Sequence, residues 1–130
     1  EKSSRLVWEN KSFVAFAPWA STHPYEFWIF PRRHQQSLLD ATADEVHDFA
    51  VALRICLGGL RRLLEDPSYN LGFHMFSRKD YHWHVEVYPK LTIWAGLEKS
   101  TGVCINVVSP EEASSALRES ALAEEKCLNP

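Results

Sequence analysis

The sequence predicts an α+β domain, with a mainly antiparallel sheet, one long helix set between its strands and a second helix near the C-terminal end. Three observations carry this. Short apolar runs bounded by turn residues recur up to Pro31 and again between Tyr69 and Val108. A single stretch from Val46 to Leu64 repeats its apolar residues at helical spacing. The strands come in groups rather than in strict alternation with helices, which favours antiparallel pairing over βαβ units.

In chain order, "RLVWENKSFVAFAP" holds two apolar runs around Glu9-Asn10-Lys11 and predicts a hairpin over Arg5–Ala17. "YEFWIFP", rich in aromatic and branched residues and ending at proline, predicts a buried strand over Tyr25–Pro31. Thr42 and Glu45 have capping-box spacing, and the helix they open should stop near Asp66-Pro67. Gly58-Gly59 within it implies close packing of helix on sheet, since each glycine costs about 1 kcal/mol relative to alanine. "YNLGFHMF" and "YHWHVEVYP" predict two antiparallel strands joined through Ser77–Asp80, and "TGVCINVV" a last strand. Ser109-Pro110-Glu111-Glu112 opens the C-terminal helix through Leu117 and Leu122, after which the polar tail "AEEKCLNP" should fray.

At 130 residues, 45% hydrophobic and 24% charged, the chain is expected to be one domain over 1–130. A net charge of −3 gives no broad basic field, so nucleic acid is not the expected partner, although Arg32-Arg33 could hold one phosphate. No apolar run approaches the roughly 18 residues of a membrane helix. Three widely spaced cysteines without a CxxC pair imply reduced thiols and a cytoplasmic setting. The first residue is Glu1, not Met, which suggests a piece of a longer polypeptide.

The chemistry concentrates in "YHWHVEVYP". On a strand, Tyr81, Trp83, Val85 and Val87 share one face, the core, and His82, His84, Glu86 and Tyr88 share the other. His74 ends the preceding strand and can come opposite or diagonal to His82–His84. Two neutral imidazoles and a carboxylate suit zinc or ferrous iron. A nucleophilic imidazole competes with that role, and so does an ordinary wet sheet face. His34 reads as a loop residue, and His23 and His47 as surface or cap residues.

"FWIFPRRHQQSLLDAT", the long helix, "YNLGFHMF" and "YHWHVEVYPKL" together resemble the histidine-triad superfamily. More narrowly, "HWHVEVYPKLTIWAGLEKSTGVCINVVSPEEASSALR" looks like the C-terminal half of galactose-1-phosphate uridylyltransferases, and the resemblance runs from Arg5 to about Leu117. It implies a histidine-triad-like fold, transfer of UMP between hexose 1-phosphates through a uridylylated histidine, and nucleotide sugar and hexose 1-phosphate as ligands. The family's nucleophile lies in a His-Pro-His context in its N-terminal domain, a motif this sequence lacks. The chain is thus expected to need that missing domain, or to form a homodimer. By motif position, His74, His84 and Glu86 correspond to metal ligands, with zinc or iron as the cofactor, and Glu98 to a glutamate that touches sugar hydroxyls. Glu86 departs from the family, which has histidine there.

Two rivals stand beside this reading. One is an independent nucleotide hydrolase or phosphorylase with His84 as nucleophile, supported by His82 and His34, with Arg33 nearby for phosphate; an ionised Glu86 would repel that phosphate. The other is a non-catalytic metal-binding or dimerisation domain.

Overall fold

In the computed structural model, which describes residues 4–128, the apolar side of each strand alternation faces two helices and the other side is open. Strands β1 (Leu6–Glu9), β2 (Phe13–Phe16), β3 (Phe27–Pro31), β4 (Tyr69–His74) and β5 (His84–Pro89) form one antiparallel sheet in the order β1-β2-β3-β5-β4. The long helix α1 (Ala43–Leu64) crosses β1–β3, and α3 (Pro110–Leu128) packs on α1 and β1; between β5 and α3 lies the six-residue α2 (Gly96–Thr101). Phe13, Ile29, Trp83, Val85 and Val87 from the strands meet Phe49, Ile55 and Leu60 of α1 and Leu117 and Ala121 of α3 in the core. Burying a side chain of this size stabilises by about 1.5–3 kcal/mol, so the alternation fixes which face of the sheet is left for chemistry.

The hairpin forms within the expected range, and both capping boxes are made: Thr42 with Glu45 on α1, Ser109 with Glu112 at the start of α3. α1 stops at Leu64, with Glu65 and Asp66 left-handed ahead of Pro67. Strand β3 begins only at Phe27, because Tyr25 is left-handed (φ 59°) and Glu26 turns inward to bind its own loop.

Four expectations are corrected. Residues 102–108 form no strand: the run pairs with no strand of the sheet, Val103 and Val107 are exposed, and Asn106 ties it to the loop before β3 instead. The glycine pair serves helix-on-helix rather than helix-on-sheet packing, since a Cβ on Gly59 would lie 2.7 Å from the backbone nitrogen of Ala121, and one on Gly58 2.5 Å from Cγ of Glu124, both on α3. The tail holds its helix through Leu128, anchored by Glu124 on Arg62 and by Glu125 on the Trp8 indole; Asn129 and Pro130 lie outside the described residues. The β4–β5 connection runs from Met75 to Trp83, longer than Ser77–Asp80, because the Trp83 amide leaves the ladder and donates to the Gln35 carbonyl (3.0 Å).

Candidate functional site

The register of β4 and β5 sets His74 directly opposite His84 and Gly72 opposite Glu86. Glycine in that position leaves the space into which the His74 ring leans: a Cβ on Gly72 would stand 3.2 Å from His74 Nε2. The two imidazoles stack at 5.0 Å with planes 5° apart. His84 Nε2 is 2.9 Å from Glu86 Oε1, and His74 Nε2 is 3.6 Å from Glu86 Oε2. One ligand atom from each of the three lies within 4.8 Å of the others. Bonds of about 2.1 Å at a tetrahedral ion place neighbouring ligand atoms about 3.4 Å apart, so the donor set and its spacing suit such an ion.

Orientation is set from behind. A carbonyl can only accept, so the 3.1 Å contact of His84 Nδ1 with the His82 carbonyl fixes a proton on Nδ1 and turns Nε2 toward Glu86. The ring lies flat on Phe30 (4.4 Å, 12°) and stacks on Trp28 at 5.3 Å. Glu86 is 8% exposed and accepts from the Tyr88 hydroxyl as well. This carboxylate is therefore held by His84 and by Tyr88, the next residue on its own face of β5.

His82 and His34 meet beside this centre, with ring centroids 5.1 Å apart. Burial pushes the His82 pKa below the ordinary imidazole value, and the nearby His34 and His84 act in the same direction, against backbone groups of Pro31 and Arg33. Its Nε2 is buried with no hydrogen-bond partner among the described residues. His34 Nε2 contacts the Lys79 carbonyl at 2.8 Å and lines a cleft with Arg33, Gln35, Gln36 and Asp40. The Arg33 guanidinium grips Glu45 through two 2.8 Å bonds and donates to the Asp40 carbonyl, which draws it into the N-terminal cap of α1. That pairing, with the Thr42 backbone, holds the Glu45 carboxyl at about 2 and raises Arg33. Glu98 closes the cap of α2, accepting from the Ala95 amide at 3.1 Å. The structure thus gathers His74, His84 and Glu86, sets His82 and His34 alongside, and engages Arg33 and Glu98 in helix caps.

Sequence reasoning passed over two side chains. Tyr88 was visible as the next residue on the open face. His23 is not the surface or cap residue expected: its ring packs on Tyr88 at 5.3 Å and its side chain is 17% exposed. It arrives through the loop before β3, which no strand or helix pattern describes. All three cysteines are free thiols, as expected, with Cys56 buried. Among the described residues no helix is long and apolar enough to cross a membrane.

No protein-family model matches the chain. It is 34% identical over 132 residues to a galactose-1-phosphate uridylyltransferase of Thermotoga maritima, covering 92% of this chain and 42% of that protein. It is 33% identical over 124 residues to an ADP-glucose phosphorylase of Arabidopsis thaliana, covering 90% and 35%. Among solved structures, a uridylyltransferase superposes with a TM-score of 0.86 at 30% identity, covering 94% of this chain and 42% of that one. The Arabidopsis thaliana ADP-glucose phosphorylase solved with bound ADP-glucose gives 0.83 at 31%, covering 91% and 41%. A zinc-bound histidine-triad family protein from Mycobacterium smegmatis, at 0.68 and 14% identity over 94% and 86%, shares the fold. The chain spans roughly two fifths of the length of the curated relatives it matches. With the open-face histidines, the sheet order and these likenesses together, the chain is similar to the C-terminal part of the longer galactose-1-phosphate uridylyltransferases and shares the fold of histidine-triad proteins.

Proposed function

We propose that the chain is one histidine-triad-like domain of a uridylyltransferase-type nucleotidyltransferase, acting on a nucleotide sugar and a hexose 1-phosphate and incomplete without a partner domain or second copy. The observation that carries this is the convergence of His74, His84 and Glu86 on the open face of a domain about one third identical to uridylyltransferases. Those three residues would hold zinc or iron, which when bound supplies a cross-link between β4 and β5. Glu98 would contact sugar hydroxyls on leaving its cap, and His82, His34 and Arg33 would border the ligand. The nucleophilic imidazole would come from outside these residues, because His84 Nε2 is already directed at a carboxylate. The cytoplasm is the expected compartment.

A phosphorylase reading, with inorganic phosphate in place of the hexose 1-phosphate, is favoured by the 33% identity to ADP-glucose phosphorylase. Incubating the chain, joined with a domain carrying the His-Pro-His motif, with UDP-glucose and galactose 1-phosphate, or with ADP-glucose and phosphate, separates the two by product. Turnover of dinucleoside polyphosphates by the 130-residue chain alone would contradict both.

A further inference from the structure

Glu26 is 2% exposed, yet neither the proposed metal centre nor the core uses its charge. Its Oε2 accepts from the Thr22 amide (2.7 Å), the His23 amide (3.0 Å) and the Thr22 hydroxyl (3.0 Å), and its Oε1 accepts from the Trp28 indole (2.9 Å). A carboxylate that accepts from four donors has no proton to give. The one Thr22 hydroxyl proton is therefore committed to Glu26. His23 Nδ1 stands 2.9 Å from that same hydroxyl oxygen, which has only lone pairs left to offer. The proton between them must sit on Nδ1. In the neutral ring this leaves Nε2 unprotonated, and among the described residues it has no hydrogen-bond partner.

The loop that does this is firmly built. Tyr25 takes a left-handed backbone, the Glu26 amide returns to the His23 carbonyl, and the Asn106 side-chain amide donates to the Ser21 and His23 carbonyls. The His23 ring rests on Tyr88, whose hydroxyl holds Glu86. Trp28 joins the Glu26 carboxylate to the ring stack of His84. A relay from the buried Glu26 through the exposed Thr22 to His23 thus ends in one unpartnered lone pair beside the metal-ligand row.

We propose that His23 is a ligand-binding residue whose Nε2 accepts a hydrogen bond from a sugar hydroxyl seated on the open sheet face next to Tyr88. This rests on the nucleotide-sugar reading above and adds to it a residue and a polarity: an acceptor, suited to a hydroxyl and not to a phosphate. A hexose and a ribose offer the same donor, so two probes are needed. Galactose 1-phosphate carries only the hexose, and UMP only the ribose.

The test uses the ¹⁵N-labelled 130-residue chain. Long-range ¹H–¹⁵N spectra at neutral pH should give His23 the tautomer protonated at Nδ1, and titration with one of the two probes should shift its Nε2. His23→Asn, which keeps a donor toward Thr22 but nothing at Nε2, should weaken that probe about tenfold, the weight of one hydrogen bond; His23→Gln, which restores an acceptor there, should recover most of the loss. An Nε2-protonated His23, or equal affinity in a folded His23→Asn variant, overturns the proposal while leaving the nucleotide-sugar reading intact. If neither probe, nor UDP-glucose, shifts any imidazole of the wild-type chain, alone or joined with a domain carrying the His-Pro-His motif, both fall together.

Discussion

His74 and His84 face each other across the β4–β5 ladder with their rings parallel to within 5°, and both Nε2 atoms are directed at Glu86. Strand β4 is a sheet edge, held on one side only. An ion at this centre would fasten that edge to β5, so binding and folding would be linked. With zinc at 100 times its dissociation constant, the gain is about 2.7 kcal/mol. Thermal unfolding of wild type should show an increment with zinc that chelator removes, whereas His84→Ala should melt at the same temperature with zinc and with chelator.

The same geometry disfavours His84 as a nucleophile. Attack on an α-phosphate requires a free lone pair and a site that accepts negative charge: a proton shared between His84 Nε2 and Glu86 leaves no lone pair there, and without that proton the carboxylate 2.9 Å away repels the phosphate. Intact mass after mixing the chain with UDP-glucose, quenched at neutral pH, should show no UMP adduct. A stoichiometric adduct abolished by His84→Ala would restore the independent-enzyme reading.

Arg33 and Glu45 give a pH prediction. Glu45 has its pKa lowered from 4.5 to about 2 in the folded chain, first by the Arg33 hydrogen bond. A carboxyl depressed in the folded state stabilises fully above its unfolded value and loses that contribution as pH falls through the folded one. The loss therefore falls between about pH 4.5 and 2. Acid titration of Glu45→Gln, followed by circular dichroism, should show a shallower decline than wild type in that window and the same slope at pH 6–8.

The two helix glycines should respond differently to alanine. At Gly59 the new methyl meets Ala121 backbone, which cannot yield, and overpacking of about 1–3 kcal/mol outweighs the roughly 1 kcal/mol gained in helix propensity. At Gly58 it meets the Glu124 side chain, which can swing away at the expense of its pairing with Arg62. Chemical denaturation should place Gly59→Ala clearly below wild type and Gly58→Ala close to it.

The outer edge of β4 carries no charged residue and no proline, and Tyr69 and Phe73 on it are exposed. Such an edge favours pairing with another strand. Light scattering should report a dimer at micromolar concentration, and Phe73→Lys should shift it toward monomer; a wild-type chain that stays monomeric would leave this edge to a different domain.

Much of this was legible because alternation is a strong signal. Trp83, Val85 and Val87 could only be core, which exposed His84 and Glu86 together, and the spacing of His74 from them survived a connection longer than expected. The glycine pair was read as a close approach, but no local pattern says whether the neighbour is a sheet or a helix. "TGVCINVV" has strand composition without a strand's partner, and pairing is a property of the whole sheet. His23 was hidden for a different reason: its role depends on Glu26 turning inward and on a left-handed Tyr25, and neither leaves a periodic trace in the sequence.

His74, His84 and Glu86 are expected to hold one metal ion between them. Protein purified without chelator and then supplied with zinc or ferrous iron should carry close to one equivalent per chain by elemental analysis, with an anomalous scattering peak bounded by the two imidazoles and the carboxylate, and His74→Ala should abolish both. A chain that retains no metal under those conditions, or whose anomalous peak lies away from these three side chains, would contradict the account.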